Sequence, residues 1–540
     1  MLTVLASCSW VPGLSDDEPE LAKGTVGHVQ GFYGGVSADE PQAAIVGRDV
    51  LAAGGTAADA AVAVYFMLSV TYPNAASLGG GGQCLVRQSK RKPKSKQKIE
   101  TIETIDFLGQ ASTGNKGVRV NVPGNPRGFF ALHAKYGELR WGELVRPAEN
   151  AARFGTEVSR ATYRGMVNGG AKLNATPAAK ALFAKPGGAA VGEGDFLKQA
   201  GLAATLGRIR ARGAGVLYSG NFARQFAASA QESGAAITYQ DLNAVAPIWR
   251  GVIEVPFVER TYFYFPLPRT QAGTMAAKAI ALAIDDDRYA EAEEGERVHL
   301  IAEAVQRAIA DGGSGFTSTK LEDGTSRVRL PEDYVEGLSR SYHDDRVVRL
   351  SIPQQVQLSV DDREGQTSFT VVDRKGGVVT CALTMNGPFG SGRVVPGTGV
   401  FLAAPPRSLA ERDLSLGGFV LTGKFTQRLF MAGSASGGAG AQAAMLQVAL
   451  RTGAVRQESL EKSMRLGRVF RNPSTGITEV EASTAAPVLN ALRGRGHDLR
   501  KVNRVGRAHI MYCETGIPVE KPACTMQADP RSLGYAAFPG

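Results

Sequence analysis

The segment TAADAAVAVYFMLSV, residues 56–70, predicts a helix that is apolar on nearly every face. A helix with one apolar stripe can lie on a surface, but one that is apolar all round has to be covered on all sides. The chain must therefore build a layered core around it. AAIVGRDVLAA, residues 43–53, precedes it and predicts a second Ala-rich helix. Gly54-Gly55 ends that first helix, and Thr56 or Asp59 opens the next. Four successive glycines, Gly79 to Gly82, then lead into the strand-like QCLVR. A phosphate-cradling loop needs its glycines after a strand and before a helix, with a lysine. The reversed order here argues against phosphate binding.

Further along, EGQTSFTVVDRKGG and GGVVTCALTMNG, between residues 364 and 387, read as a hairpin of two alternating strands with a basic turn. Residues 126 to 350 read as mainly helical, with loops at LNATPAAKALFAKPGGAAVGEGD and YFPLPRTQAG. A β-rich stretch from 365 to 403, a glycine-rich turn AGSASGGAGAQ, a helix pair and a last hairpin follow. Mixed helices and strands in this order predict a layered α/β or α+β fold. The 540 residues suffice for a large core or two to three domains. No apolar run reaches the roughly 18 residues of a membrane-spanning helix.

The net charge is +10, and RQSKRKPKSKQK, residues 87–98, holds seven of the basic residues. Such a patch can meet nucleic acid or an anionic membrane. No aromatic residues interleave with these charges, so the stretch reads as a solvated turn between QCLVR and IETIETIDF, with no nucleic-acid partner. The five cysteines are Cys8, Cys84, Cys381, Cys513 and Cys524. Cys84 and Cys381 lie in apolar strand-like runs and read as buried free thiols. Cys513 and Cys524 flank ETGIPVEKPA, a hairpin-like turn, and an exported protein could bridge them. No spacing resembles a zinc site, and no metal or cofactor is expected.

At the N-terminus Leu5-Ala6-Ser7-Cys8 resembles the lipobox of bacterial lipoproteins, in which the cysteine is lipidated. The charged and apolar regions of a signal peptide are both cut short here, which points to a start codon upstream of Met1. VPGLSDDEPELAKG then reads as a polar linker. The expectation is a lipid anchor on Cys8 and a location in the bacterial cell envelope or periplasm.

Several blocks taken together resemble the γ-glutamyltranspeptidase family of N-terminal nucleophile hydrolases. They are GRDVLAAGGTAADAAVAVYFMLSVTYPNAASLGGGG, VNVPGNPRGFFALHAKYGELRWGELVRPAENAARFG, VLYSGNFARQFAASAQESGAAITYQDL, AEAVQRAIAD, TSFTVVDRKGGVVTCALTMNGPFGSG and the terminal ADPRS. The resemblance implies a four-layer αββα sandwich. It also implies a precursor that cuts itself before a threonine, which then attacks γ-glutamyl amides with its own α-amine as base. In those terms residues 1–25 are signal and linker, 26–365 a large-subunit-like region and 366–540 a small-subunit-like region.

The family strand reads Thr-Thr-His-aromatic-Ser-Val-Val-Asp, with the first threonine as nucleophile. Anchoring on Val371-Val372-Asp373 puts Phe369 on the aromatic, Ser368 on the histidine and Thr367 on the second threonine. Gln366 then takes the nucleophile's place, Thr384 that of the helper threonine and Asn386 that of a substrate-contacting asparagine. A one-residue slip would instead make Thr367 the nucleophile, but a slip by one turns a strand side chain to the other face unless a bulge absorbs it. Leu108 stands where the family holds the substrate carboxylate with arginine, a bidentate contact leucine cannot make. Ala404, Pro405 and Ser408 stand where the family binds the substrate amine with acidic and amide residues, and Ser415 remains from a serine pair. Gly437 and Gly438 match the turn whose backbone N–H groups form the oxyanion hole.

Three functions are compatible with these residues. One is an active γ-glutamyl hydrolase or transferase using Thr367 on a small γ-glutamyl-like molecule. Another is a pseudoenzyme that keeps the fold as an envelope binding or scaffold protein. The last is a divergent amidase for substrates without an α-amino-acid head.

Overall fold

The computed structural model describes residues 33–540 except 92–97, 268–271, 313–314, 321–325, 351–364, 406–415, 456–457, 520–521 and 540; at 89–91 and 98–99 it describes the backbone alone. Cys8, Ser408, Ser415 and most of the basic stretch at 87–98 lie outside the described residues.

Two large sheets carry the architecture. In chain order their strands are β1 (Gly34–Ala38), β2 (Gly81–Arg91), β3 (Lys98–Asp106), β4 (Ile248–Arg250), β5 (Val252–Pro256), β6 (Thr261–Pro266), β7 (Thr317–Lys320) and β8 (Ser326–Arg329). Then come β9 (Gln366–Asp373), β10 (Val378–Thr384), β11 (Gly417–Gly423), β12 (Leu429–Ser436), β13 (Arg507–Ile517), β14 (Cys524–Gln527) and β15 (Tyr535–Ala537). The first sheet runs β15-β1-β9-β10-β2-β3-β4, and the second β14-β13-β12-β11-β6-β5-β8-β7. The pairs are antiparallel except β5 with β8.

Three apolar cores separate four layers. Helices α1 (Pro41–Ala52), α2 (Ala57–Thr71), α3 (Asn125–Tyr136) and α4 (Trp141–Phe154) cover the outer face of the first sheet, against Phe369, Val371 and Cys381. Val372, Val378, Val420, Ala432 and Met511 fill the space between the sheets. Helices α5 (Ala272–Ile284), α6 (Glu294–Asp311) and α7 (Gly440–Gly453) cover the second sheet, against Phe263, Phe419 and Ile510. This is the expected αββα sandwich, and residues 31–540 form one compact unit.

Local chemistry explains why the elements begin where they do. Thr56 caps α2 reciprocally: its hydroxyl accepts from the Asp59 amide, and the Asp59 carboxylate accepts from the Thr56 amide. Every residue of α2 is buried, as an all-round apolar helix requires. The glycine run at 79–82 ends in β2, and bare backbone is needed there: a Cβ on Gly79 would sit 2.1 Å from the Phe401 carbonyl oxygen.

One expectation is extended and one is corrected. The stretch 126–350 is mainly helical as expected, and it also holds the short strands β4 to β8. On β6, Phe263 and Phe265 pack on helices while Tyr264 faces the first sheet. With both faces covered, the apolar residues run on and the period-two signal of a strand is erased. Cys84 and Cys381 are buried but not free: they face each other directly across β2 and β10 and form a disulfide. Cys513 and Cys524 pair across β13 and β14 and are also bonded.

The Cys84–Cys381 bond closes a loop of 297 residues, so it removes much chain entropy from the unfolded state. Replacing both cysteines by alanine should lower the unfolding free energy by about 2–4 kcal/mol. Denaturant titration of the oxidised protein measures this.

Candidate active site

The site begins with a strand register. β9 pairs with β10 without a bulge, Gln366 opposite Thr384 and Thr367 opposite Leu383. Alternation along β9 directs residues 366, 368 and 370 at the second sheet. There Ser368 Oγ lies 3.5 Å from Ser436 Oγ on β12, and Thr370 Oγ1 lies 3.0 Å from Ser434 Oγ.

Gln366 reaches across the gap to the turn between β12 and α7. Its side-chain oxygen Oε1 accepts from the Gly437 amide at 3.3 Å and the Gly438 amide at 3.2 Å. Both glycines have left-handed backbone, φ +106° and +72°, which side-chain-bearing residues rarely adopt. Glycine is thus what lets two consecutive N–H groups converge on one oxygen. A converging pair of this kind stabilises an oxyanion or a carbonyl oxygen, and here its occupant is the chain's own carboxamide.

Thr384 is buried, and its hydroxyl accepts from the Asn386 amide at 2.8 Å. It also lies 3.4 Å from the Gly365 carbonyl oxygen, which accepts from the Met385 amide at 2.8 Å. Asn386 has left-handed backbone (φ +55°), and its Nδ2 donates to the Ala404 carbonyl at 2.7 Å. That bond and the Met385–Ala404 backbone bond hold residues 404–405 beside the end of β10. Pro405 is half-buried there. Leu108 packs with Ala382 and Leu416 in a small buried apolar cluster, so the wall beside Thr384 is hydrocarbon.

Thr367 is completely buried, and its hydroxyl donates to Asp39 Oδ2 at 2.9 Å. The structure brings Gln366, Thr384, Asn386, Gly437 and Gly438 together, and it ties the Thr367 hydroxyl to Asp39 instead.

Asp39 belongs to a buried network that sequence reading missed. His509 Nε2 lies 3.0 Å from Asp39 Oδ1, and Ser37 Oγ lies 2.9 Å from His509 Nδ1. Arg507 is 3.7 Å from Asp39 Oδ2 and donates to the Gln366 carbonyl at 2.8 Å. Burial by itself would raise the Asp39 pKa. Arg507, His509 and the Thr367 hydroxyl outweigh it and hold the carboxyl well below the usual carboxylate range. The network is a clamp under residue 366. Its sequence signal was Arg507 and His509 at alternate positions of RAHIMYC, the polar places of a strand otherwise apolar.

The γ-glutamyltranspeptidase family model matches residues 43–409. The chain belongs to this family. The glutathione hydrolase proenzyme of Pseudomonas aeruginosa is 31% identical over 395 residues, covering 68% of this chain and 67% of that one. The glutathione hydrolase proenzyme of Bacillus subtilis is 30% identical over 405 residues, covering 69% and 68%. Among solved structures, cephalosporin acylase from Bacillus halodurans superposes with a TM-score of 0.76 over 97% of this chain and 98% of its own, at 20% identity. At that identity the likeness speaks for the fold.

Replacing Asp39 by alanine would remove the buried carboxylate that Arg507, His509 and the Thr367 hydroxyl share. Losing one partner of a buried pair costs about 3–5 kcal/mol. The expected result is a loss of that size in chemical denaturation, and a small one for Asp49→Ala, whose ion pair with Arg48 is solvent-exposed.

Proposed function

We propose that this protein is a γ-glutamyltranspeptidase-like chain whose catalytic position is closed by its own glutamine. In this reading it stays a single polypeptide, transfers no γ-glutamyl group and serves as a binding or scaffold protein of the cell envelope. The observation that carries the proposal is the contact of Gln366 Oε1 with both glycine amides. A substrate carbonyl would need those same two donors. The carboxamide that fills them offers neither a nucleophilic oxygen of useful reactivity nor a hydroxyl for a base to deprotonate.

The surroundings support the same conclusion. The Thr367 hydroxyl is committed to a buried carboxylate, and making it the nucleophile would require breaking the β9–β10 register. Leu108 offers hydrocarbon where a substrate carboxylate would need a guanidinium. The Cys8 sequence supports attachment to a membrane through a lipid, and the two disulfides accord with an oxidising compartment.

Purified protein should run on a denaturing gel, and weigh by intact mass, as one species near 56.9 kDa before any processing of the N-terminus. Fragments of roughly 366 and 174 residues, together with γ-glutamyl anilide hydrolysis that disappears in Thr367→Ala, would overturn the reading. A second outcome is expected from Gln366→Thr. Gly365 O already accepts two hydrogen bonds, so a hydroxyl introduced at 366 meets a polarised carbonyl. Slow chain cleavage between residues 365 and 366, followed by N-terminal sequencing over days, is the predicted gain.

A further inference from the structure

A groove of about 230 Å³ opens on the second sheet, far from the glycine amides. It lies where the β5–β6 turn and the β11–β12 turn meet β13 and the end of α7. Phe430 on its floor is six residues along β12 from Ser436, on the order of 20 Å at strand spacing. Phe257 and Leu421 complete an apolar floor.

Charged side chains stand at both ends of this groove. At one end stand Arg260 and Lys424, from two different turns tied together by the Lys424 amide donating to the Arg260 carbonyl at 3.0 Å. Both cations approach the ring of Phe425, at 5.7 Å and 5.9 Å, and that ring is 71% exposed. Glu259 shares the turn of Arg260, and these two residues sit consecutively in left-handed backbone (φ +53° and +60°) that glycine or asparagine would adopt more easily. At the other end stands Glu514 on β13. Lys424 directly follows β11, and β13 is two strands away, so the cationic and acidic ends are about 10 Å apart.

An apolar floor with a cationic end and an acidic end about 10 Å apart matches one ligand class. A tripeptide spans about 10 Å between its termini, carries an ammonium at one and a carboxylate at the other, and can lay an apolar side chain between them. We propose that this groove binds short zwitterionic peptides of about three residues, with the carboxylate at Arg260 and Lys424, the ammonium at Glu514 and an apolar side chain on Phe257 and Phe430. The site is separate from Gln366 and does not depend on whether that site is closed.

Calorimetric titration of the full-length protein with Ala-Phe-Ala tests this. Binding is expected, at least tenfold weaker for the acetylated and amidated peptide and at least tenfold weaker for Lys424→Gln, an exposed residue whose loss should leave the fold intact. Gly453→Leu should abolish binding. A Cβ there meets Met431 and Phe257 at ordinary contact distances of 3.4 and 3.6 Å, so the longer side chain enters the groove. No heat with the unmodified protein, equal binding of the blocked peptide, or unchanged binding in Gly453→Leu would each overturn the proposal. Displacement of the peptide by benzoate at equal concentration would also overturn it, pointing to a simple aryl-anion site.

Discussion

The antiparallel register of β9 on β10 is the constraint on which the rest of the site depends. It places Gln366 opposite Thr384 with no bulge between them. Strand side chains alternate strictly, so no local rotation can exchange the neighbour at 367 for the residue at 366. The register is itself held by buried apolar residues on both faces. Phe369 and Val371 lie under the helices, and Val372 and Val378 lie between the sheets. A slip by one residue would turn Phe369 and Val371 out of the helix-covered core and Val372 out of the inter-sheet core. That cost lies in burial and far exceeds anything a single hydroxyl could return.

The polar network beneath residue 366 fixes the same geometry a second time. Arg507 donates to the Gln366 carbonyl while it faces Asp39, and Asp39 in turn holds the Thr367 hydroxyl. One buried carboxylate therefore occupies the hydroxyl next to the site and, through Arg507, steadies the backbone that presents Gln366. Buried charge of this kind is tolerated only when every partner is in place. Gln366 lies between two rigid supports, the Arg507 contact on its main chain and the paired glycine amides on its side chain.

Much of the architecture was legible because its signals are local. The cap at Thr56, the burial of α2, the β9–β10 hairpin and the β13–β14 hairpin each follow from a few adjacent residues. Other features were hidden because their causes are not local. Strand β6 has both faces covered and shows no alternation. Cys84 and Cys381 read as free thiols because nothing within either strand announces a partner 297 positions away. Asp39 and His509 stand 470 residues apart and meet only when β1 and β13 are brought face to face across the two sheets.

The sequence by itself determined the family, the layered fold and the identity of the side chain at 366, since these rest on residue order and hydrophobic period. Only the tertiary structure decided what that side chain does. Gln366 and Gly437 lie 71 positions apart, and whether a flexible carboxamide reaches two amide donors depends on sheet separation and on the left-handed turn after β12. Distances between chain-distant groups are set by packing, and residue order alone does not contain them.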